Sequence, residues 1–339
     1  MEKQIRNSNH ELLRLIAMFM IVLIHANMYL SHFVQGVIWT ICNGVVNGIC
    51  NIGVSCFILI SGYYGVKPDS GKIVKMECMM ITYSLLETVI LYLAFPEQMV
   101  GSVLLEQLVK SLIPFISRKY WFYSCYICLI CFSGYIQKFI NCLSREEFKK
   151  FLCVSVFLFS VLPTLFYFEL VPDNGKGLIQ MIMIYMAGRY IRMYRDVSLP
   201  KKKAVLLFAA LWVINGVSHE FPVLIAGIDL HLCKDNSITN LVMAVILFYL
   251  FKDIQLKSVF VNQIASYVFA VFALNNTLVT VLLPKISGIG GVGTFAGTVF
   301  LIFVCCLLIG VIREIILGKA DRKVVQLSAV LLRKFDFMG

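Results

Sequence analysis

The run Leu15-Ile-Ala-Met-Phe-Met-Ile-Val-Leu-Ile24 carries no polar side chain over ten residues, and it is flanked by Arg14 and His25. A helix needs about 20 mostly apolar residues to cross about 30 Å of hydrocarbon, and the surrounding segment, residues 11–31, is long enough. The whole chain has this character. Of its 339 residues, 60% are hydrophobic and 14% are charged, whereas soluble domains have about 45–50% and about 25%. The sequence therefore predicts an integral membrane protein.

The composition also excludes other classes of protein. A disordered chain is poor in apolar residues, and a small secreted domain held together by disulfides is much shorter. The net charge of +11 is spread along the chain, whereas a nucleic-acid-binding protein gathers its basic residues on one soluble face. We therefore expect the lipid bilayer as a partner, and no nucleic acid.

Ten segments are long and apolar enough to span the bilayer, and we predict an all-α integral membrane fold with a single bundle of about ten transmembrane helices. The spans are residues 11–31, 45–64, 74–95, 120–140, 150–170, 176–194, 204–220, 237–252, 263–283 and 293–316. Residues 102–117 are shorter and carry Glu106 and Lys110, which favours an amphipathic segment at the membrane interface. Residues 221–232 are apolar but also too short, which favours a re-entrant segment. No small-residue cleavage site follows the first span, so we interpret it as a retained helix.

Lysine and arginine set the orientation of such a bundle, because cytoplasmic loops are enriched in them. With the N-terminus inside, 23 of these residues lie in inside segments and six in outside loops, and Arg14 lies within a span. Both termini are therefore predicted to be cytoplasmic. We expect one transmembrane domain over residues 1–318 and a short basic cytoplasmic tail over residues 319–339.

Two patterns resemble ligand sites but have a simpler interpretation. Three of the twelve cysteines, Cys125, Cys128 and Cys131, follow helical spacing, but no further ligands complete a zinc or iron–sulfur site. We interpret them as packing or lipid-facing thiols, and we expect no metal. The glycine-rich run from Gly288 to Gly293 joins two predicted spans rather than a strand and a helix, so we predict a flexible outer turn.

Ionisable residues inside a membrane helix are costly, so each is a functional hypothesis. Arg14 and His25 are eleven residues apart, which places them on one helix face, ~20° apart in azimuth and ~16 Å apart along the axis. Glu11 is spaced for an i, i+3 ion pair with Arg14. A snorkelling anchor explains Arg14 alone, and a helix–helix hydrogen bond explains His25 alone. Together, a cation near the cytoplasm and a base deeper in one groove suit a polyanionic donor that enters from inside.

Four stretches of the chain have a distinctive pattern: Asn9-His-Glu11-Leu-Leu-Arg14-Leu-Ile-Ala followed by His25, Gly53-Val-Ser-Cys-Phe-Ile-Leu-Ile-Ser61-Gly62-Tyr63, Tyr120-Trp121-Phe122-Tyr123, and Ile184-Tyr-Met-Ala-Gly188-Arg-Tyr190-Ile. Together they resemble the motifs of membrane-bound acyltransferase family 3, in particular the Gram-positive type associated with surface polysaccharides. The likeness covers nearly the whole chain, and the family's fold has ten spans.

The resemblance implies transfer of an acyl group, usually acetyl from acetyl-CoA, to a glycan hydroxyl by a protein of the cell (cytoplasmic) membrane. It implies His25 as the catalytic base and Arg14, with Glu11, as the donor contact. A sugar hydroxyl is a weak nucleophile until a base takes its proton, but His25 also suits a route in which it carries the acyl group itself. No bound cofactor is expected, since acetyl-CoA or another acyl-CoA enters as co-substrate.

One departure from the family's pattern concerns the ninth span. Members of this kind often carry a histidine followed by an acid there, whereas this chain has Asn275 and Asn276. The amides keep hydrogen-bonding capacity but lose the charge. His25 is then the one intramembrane base, and an inactive family member that acts as a membrane scaffold stays an alternative.

Further polar residues are candidates for lining the groove or binding the acceptor glycan, lipid-linked or not. Glu87 lies within the third span. It suits a partner for His25 or for the acceptor, or a residue that pairs with a neighbouring helix. Tyr120 and Trp121 suit stacking on a sugar or a place in an interfacial aromatic belt. Ser61 and Gly62 suit the active-site lining or close helix packing.

A last group of polar residues follows the seventh span, and it suits a solvated loop better than an acceptor or cation site. Its members are His219, Glu220, Asp229 and His231. Ten spans with buried polar residues also fit a transporter or exporter of a glycan or small solute. An enzyme and a transporter therefore both remain hypotheses from the sequence.

Overall fold

The structure is a computed structural model that describes residues 7–31, 36–194, 200–227, 232–286 and 291–332. These residues form fourteen α-helices and one π-helical segment, Phe157–Val161, and the described ranges contain no strand. The predicted all-α class is confirmed. The helices are α1 Ser8–Ser31, α2 Val37–Cys50, α3 Gly53–Tyr64, α4 Ser70–Ala94, α5 Gly101–Leu112, α6 Trp121–Cys142, α7 Arg145–Val156, α8 Leu162–Phe166, α9 Leu178–Tyr194, α10 Lys201–Ala226, α11 Ile238–Lys252, α12 Val259–Ala265, α13 Val268–Ile286 and α14 Val292–Leu332.

Within the described ranges, eight helical segments are long and apolar enough to cross a membrane, and each overlaps a predicted span. The consecutive helices α2 and α3 form one of these segments, Val37–Tyr64. At the other two predicted spans, α9 has 17 residues and α11 has 15. The protein is therefore a multi-pass membrane protein, whereas the count of ten spans and the orientation of the termini stay predictions.

The re-entrant interpretation of residues 221–232 is wrong for residues 221–226. These residues extend α10 to Ala226, and the helix continues through Pro222. With 26 residues, α10 is long enough to include them in one membrane-crossing helix. Residues 228–231 lie outside the described ranges.

The last helix passes through the position where we expected the cytoplasmic tail to begin. Helix α14 has 41 residues and runs unbroken past residue 318. At 1.5 Å per residue it is about 60 Å long, roughly twice the hydrocarbon thickness. The helix therefore extends well beyond a bilayer, and its end at Leu332 belongs to the tail predicted over residues 319–339. Of the glycine run 288–293, residues 288–290 lie outside the described ranges, and Gly293 belongs to α14.

Side chains at several helix starts supply the hydrogen bonds that the first turn lacks. Asp69 accepts from the backbone nitrogen of Lys72 at 3.1 Å and begins α4. Ser144 and Glu147 form a reciprocal capping box at the start of α7. At the end of α3, Gly65 has φ 75°, a left-handed conformation that glycine adopts without strain. These local interactions determine where the helices begin and end.

The chain divides into two compact units, where the sequence predicts a single bundle. Unit 1 comprises residues 1–66 and 137–268, and unit 2 comprises residues 67–136 and 269–339. In unit 1, α3 packs against α9, α1 and α11, and α2 packs against α10 and α1. In unit 2, α4 packs against α14 and α5.

The core of unit 1 surrounds α3, which is nearly all apolar and buried on all sides. Its residues Ile58, Leu59 and Ile60 are at most 1% exposed. Three consecutive buried side chains cannot share one helix face, so neighbouring helices must cover α3 from several directions. This central helix carries the candidate residues Ser61 and Gly62 at its end.

Candidate active site

The start of α1, which carries the first candidate residues, is anchored to the segment before α12. Ser8 accepts from the backbone nitrogen of Ser258 at 3.0 Å, and Asn9 accepts from that of Leu256 at 2.9 Å. Ser8, Asn9, His10 and Glu11 are all buried, with 2–5% of each exposed. These contacts fix the first turn of α1 within unit 1.

The ion pair predicted from spacing is present. The Nη1 atom of Arg14 lies 2.8 Å from Oε1 of Glu11, and 26% of the Arg14 side chain is exposed against 7% of the Glu11 side chain. The carboxylate therefore holds a partly accessible guanidinium in place. His25 lies on the same helix, eleven residues further on, and is half-buried. The continuous helix keeps the spacing that placed Arg14 and His25 on one face.

None of the sequence predictions above concerns the aromatic cluster around His10. Nδ1 of His10 lies 2.6 Å from the hydroxyl of Tyr64, and the imidazole stacks on Phe248 at 5.0 Å between ring centres. Tyr63 lies 5.5 Å from the same ring. His10 and Tyr63 both occur in the motifs quoted above, so the motifs themselves are the signal that points to this cluster.

Gly62 lies where α3 crosses α9, and it brings the two backbones into contact. A Cβ added at Gly62 would lie 2.1 Å from the carbonyl oxygen of Tyr185, and one added at Gly188 would lie 2.5 Å from that of Leu59. No larger side chain fits at either position. Of the two roles left open for Gly62, the geometry supports close packing, and neighbouring Ser61 is buried beside it.

A chain of polar side chains links α1, α2 and α10. The Asn27 amide donates to Oδ1 of Asn43 at 2.6 Å, and the Asn43 amide donates to Oε1 of Glu220 at 2.5 Å. Nδ1 of His219 lies 2.7 Å from the same carboxylate oxygen. The solvated-loop interpretation is therefore wrong for His219 and Glu220, because both belong to α10 and are partly buried in this network. The other two members, Asp229 and His231, lie outside the described ranges.

In unit 2 the structure brings Glu87 and Tyr120 together. The Tyr120 hydroxyl donates to the Glu87 carboxylate, and Nζ of Lys119 lies 3.6 Å from the same group. Lys119 also donates to the hydroxyl of Ser111 at 3.2 Å. Two further buried hydroxyls, of Ser84 and Thr88, each lie 2.9 Å from that of Ser111. Glu87 is thus a paired carboxylate at the junction of α4, α5 and the start of α6.

The junction combines three kinds of polar group. The Tyr120 hydroxyl donates to the Glu87 carboxylate, and Lys119 supplies an ammonium group. Burial lowers the pKa of Lys119, although the Glu87 carboxylate acts in the opposite direction. The group can therefore present a carboxylate, a hydroxyl and an ammonium close together, which suits hydrogen bonding to a hydroxyl-rich ligand.

The remaining candidates of unit 2 lie in different surroundings. Trp121 is half-buried and packs edge-on against Phe122, with 5.8 Å between ring centres. Asn275 is 1% exposed, and its amide donates to the backbone oxygen of Val271 at 2.8 Å, within its own helix. Asn276 is exposed. The two asparagines therefore face different environments, as a separation of about 100° around the helix allows.

Among the residues that the structure describes, the twelve cysteines form no disulfide, and no group of three or more metal-ligating side chains occurs. The candidate residues divide between the units. Glu11, Arg14, His25, Ser61 and Gly62 belong to unit 1, and Glu87, Tyr120, Trp121, Asn275 and Asn276 belong to unit 2.

A family model described as an acyltransferase domain, acyltransferase family 3, matches residues 7–312. This match covers nearly all of unit 1, most of unit 2 and every candidate residue named above. No curated protein and no solved structure matches the chain.

Proposed function

Because this chain belongs to acyltransferase family 3, we propose that it transfers an acyl group, acetyl in the simplest case, from acetyl-CoA or another acyl-CoA to a hydroxyl of a cell-surface glycan or its lipid-linked precursor. Acyl transfer follows from the family, whereas the donor, the acetyl group and the acceptor are our proposals. We propose the cell (cytoplasmic) membrane as its location, with the donor on the cytoplasmic side. The excess of lysine and arginine in the predicted inside segments supports this orientation.

His25 is the residue that we propose as the catalytic base. The observation that carries this proposal is that one continuous helix, α1, holds a half-buried histidine and, near its start, an arginine fixed by a carboxylate. The His25 imidazole takes the proton of the acceptor hydroxyl, and the oxygen bonds to the thioester carbonyl carbon. The C–S bond then breaks, and the CoA thiolate leaves and takes up the proton.

A two-step route uses the same residue. In that route the imidazole nitrogen of His25 first accepts the acyl group from the thioester, with release of CoA, and the acceptor hydroxyl then displaces the imidazole. Both routes need the donor to reach His25 from the cytoplasmic end. We propose that Arg14, held by Glu11, contacts the anionic donor there.

We propose acceptor binding for Glu87 and Tyr120, because their contact forms a hydrogen-bonding group that suits sugar hydroxyls. Trp121, beside Tyr120, adds an aromatic surface of the kind on which sugars stack. Ser61, Asn275 and Asn276 stay candidates for the groove lining. We propose that residues 1–318 carry all of these functions.

The test compares surface glycans from cells with and without the protein by mass spectrometry. We expect glycans from cells that lack it to lose the mass of one acetyl group for each modified hydroxyl. His25→Ala should cause the same loss while the protein still accumulates in the membrane, and His32→Ala, the next histidine along the chain, is the matched control. Normal acetyl content with His25→Ala would reject His25. Glycans unaltered without the protein would favour a transporter or a scaffold.

A further inference from the structure

Two arginines of α9, Arg189 and Arg192, lie beside the last turn of α3. They are three residues apart, so they lie on neighbouring positions of one helix side. The contact of Gly62 with Gly188 brings α9 directly against α3, and α3 ends at Tyr64. The glycine crossing therefore determines where both arginines lie.

Each arginine touches the end of α3 in a different way. Nη1 of Arg192 donates to the hydroxyl of Tyr63 at 3.2 Å, and its guanidinium carbon lies 5.1 Å from the centre of the Tyr63 ring. Arg189 lies against Gly65, where an added Cβ would be 3.0 Å from Nη1. An aromatic ring holds a guanidinium in place without neutralising its charge. Arg192 is thus positioned and still available to an anion.

In the described part of the chain, these two arginines have no carboxylate partner. Within the ranges that the structure describes, neither Arg189 nor Arg192 has an acidic side chain within 4.0 Å. Nε of Arg189 is buried and has no hydrogen-bond partner among these residues. Leaving this buried donor without a partner costs free energy. Arg192, in contrast, is exposed. A buried donor beside an accessible guanidinium suits an anionic ligand that contacts both.

Further cations lie close to the same aromatic cluster. Arg14 and Arg192 both act electrostatically on Tyr64, and Lys252 acts on His10, which bonds to Tyr64. The carboxylate that acts on Tyr64 is Glu11, the partner of Arg14. Positive charge therefore exceeds negative charge where the ends of α1, α3, α9 and α11 meet.

We propose that Arg189 and Arg192, with Arg14, bind the phosphate groups of the acyl-CoA donor. This inference rests on the proposed function, from which it takes the donor. Guanidinium groups match phosphate oxygens with paired N–H donors, and the phosphates of CoA lie at the end remote from the thioester. Contacts there position the donor without touching the reacting carbonyl carbon. Tyr63 is a positioning residue, because it holds Arg192 through its ring and hydroxyl.

The test measures ligand binding by the purified full-length protein in nanodiscs of zwitterionic lipid. The probes are CoA and pantetheine, which shares the thiol arm of CoA but has no phosphate. We expect the double variant R189Q/R192Q to raise the Kd for CoA about tenfold or more, as charge-assisted hydrogen bonds are lost. The Kd for pantetheine should stay unchanged. R192Q alone, at an exposed position, should raise the Kd for CoA to a smaller extent.

A matched control is available at the start of α7, which contacts α9. Arg145 is also exposed, and its guanidinium carbon lies 5.6 Å from the ring centre of Tyr194 on α9. R145Q should leave the Kd for CoA unchanged. An equal rise with R145Q would mean that surface charge acts generally. An equal loss of CoA and pantetheine binding by R189Q/R192Q would mean that the arginines do not act through the phosphates. Either result overturns the proposal.

A lipid headgroup is the other source of phosphate, and a second set of nanodiscs with anionic lipid distinguishes it. If R189Q/R192Q binds CoA normally but loses a preference for anionic lipid, the pair is a lipid anchor and the proposal is wrong. If that variant binds CoA normally while His25→Ala removes glycan acetyl groups, this inference fails and the proposed function stands. If the arginines bind CoA but glycans are unaltered without the protein, the site stands and the proposed acceptor fails.

Discussion

Gly62 and Gly188 face each other where α3 crosses α9, and a Cβ added at Gly188 would lie 3.0 Å from the Cα of Gly62. Contact of this kind is typical of helices that associate through small residues in a membrane. It also sets the position of Tyr63 and Arg192, which follow on the two helices. The crossing therefore supports both the core of unit 1 and the proposed donor site.

We expect Gly62→Ala to lower the free energy of unfolding by about 1–3 kcal/mol, because the added methyl group collides with the backbone of Tyr185. A change of side-chain rotamer cannot relieve this collision. Thermal unfolding of the purified protein measures this. Gly297→Ala is the matched control, since Gly297 is exposed in α14 and a Cβ there meets nothing within 4 Å. Unfolding of Gly62→Ala at the wild-type temperature would contradict the crossing.

Local sequence patterns predict part of this fold and of the site. The apolar run in α1 predicts a helix, and the spacing of Glu11 and Arg14 predicts their ion pair, because both depend on neighbouring residues alone. The contact of Tyr63 with Arg192 joins residues 129 apart in the chain. No helical period encodes that distance, so it follows from the packing of α3 on α9.

The same limit applies to the roles of single residues. From the sequence, Gly62 could serve either close helix packing or the lining of a groove. The close approach of the Tyr185 backbone in the structure favours packing. The contact of Glu87 with Tyr120 requires α4 and the start of α6 to lie side by side, which composition does not specify. Polar residues in apolar helices can therefore be listed from the sequence, but their partners cannot.

Glu87→Gln should destabilise unit 2 by about 1–3 kcal/mol, because half-buried Lys119 loses its carboxylate partner and Tyr120 loses a charged acceptor. Thermal unfolding at neutral pH measures the change. The control is Glu106→Gln, which removes an exposed pair with Lys110 at 2.5 Å and should cost at most about 1 kcal/mol. Equal effects of the two substitutions would mean that the Glu87 pair contributes no more than a surface contact.

Asn43→Ala should lower the free energy of unfolding by about 2–3 kcal/mol, because it removes one partner each from the side chains of Asn27 and Glu220. Chemical unfolding in detergent is a suitable measurement. Asn141→Ala removes an exposed amide pair with Gln137 at 2.7 Å on α6, and we expect it to have little effect. An unchanged free energy of unfolding for Asn43→Ala would indicate that water replaces the hydrogen bonds of the network.

Asp235 should make the stability of unit 1 depend on pH. Burial raises the pKa of Asp235 to about 6, although the charge of Lys176 acts in the opposite direction. The folded state then binds more protons than the unfolded state between about pH 4 and pH 6, so this residue's contribution to stability falls as the pH rises through that window. Above it, the ionised carboxylate costs up to about 3 kcal/mol.

Asp235→Asn should therefore raise the unfolding temperature relative to wild type at pH 7 but leave it unchanged below about pH 3, where the carboxyl is protonated in both states. Unfolding scans across this range check it. Asp253→Asn, at an exposed aspartate, is the control and should follow the wild-type curve. If Asp235→Asn shifted the unfolding temperature by the same amount at every pH, ionisation of Asp235 would not be the cause of the shift.

The segment after residue 318 should contribute to stability, because Asp321 pairs with Arg313 inside unit 2. Both side chains are at most 6% exposed, and Nη2 of Arg313 donates to Oδ1 of Asp321 at 2.9 Å and to the hydroxyl of Thr82 at 3.3 Å. Asp321→Asn leaves the buried guanidinium without its counter-charge, which typically costs about 3–5 kcal/mol.

The same helix offers a pair with identical spacing at its surface. Arg322 and Glu314 lie 3.5 Å apart, with 60% and 33% of their side chains exposed, so Glu314→Gln should cost at most about 1 kcal/mol. In the double variant R313M/D321L no charge is left unpaired, and its stability should lie much closer to wild type than that of Asp321→Asn. Thermal unfolding of the three variants separates these cases. If Asp321→Asn lowers the unfolding temperature no more than Glu314→Gln does, the residues beyond 318 form a dispensable tail, as their basic composition alone suggests.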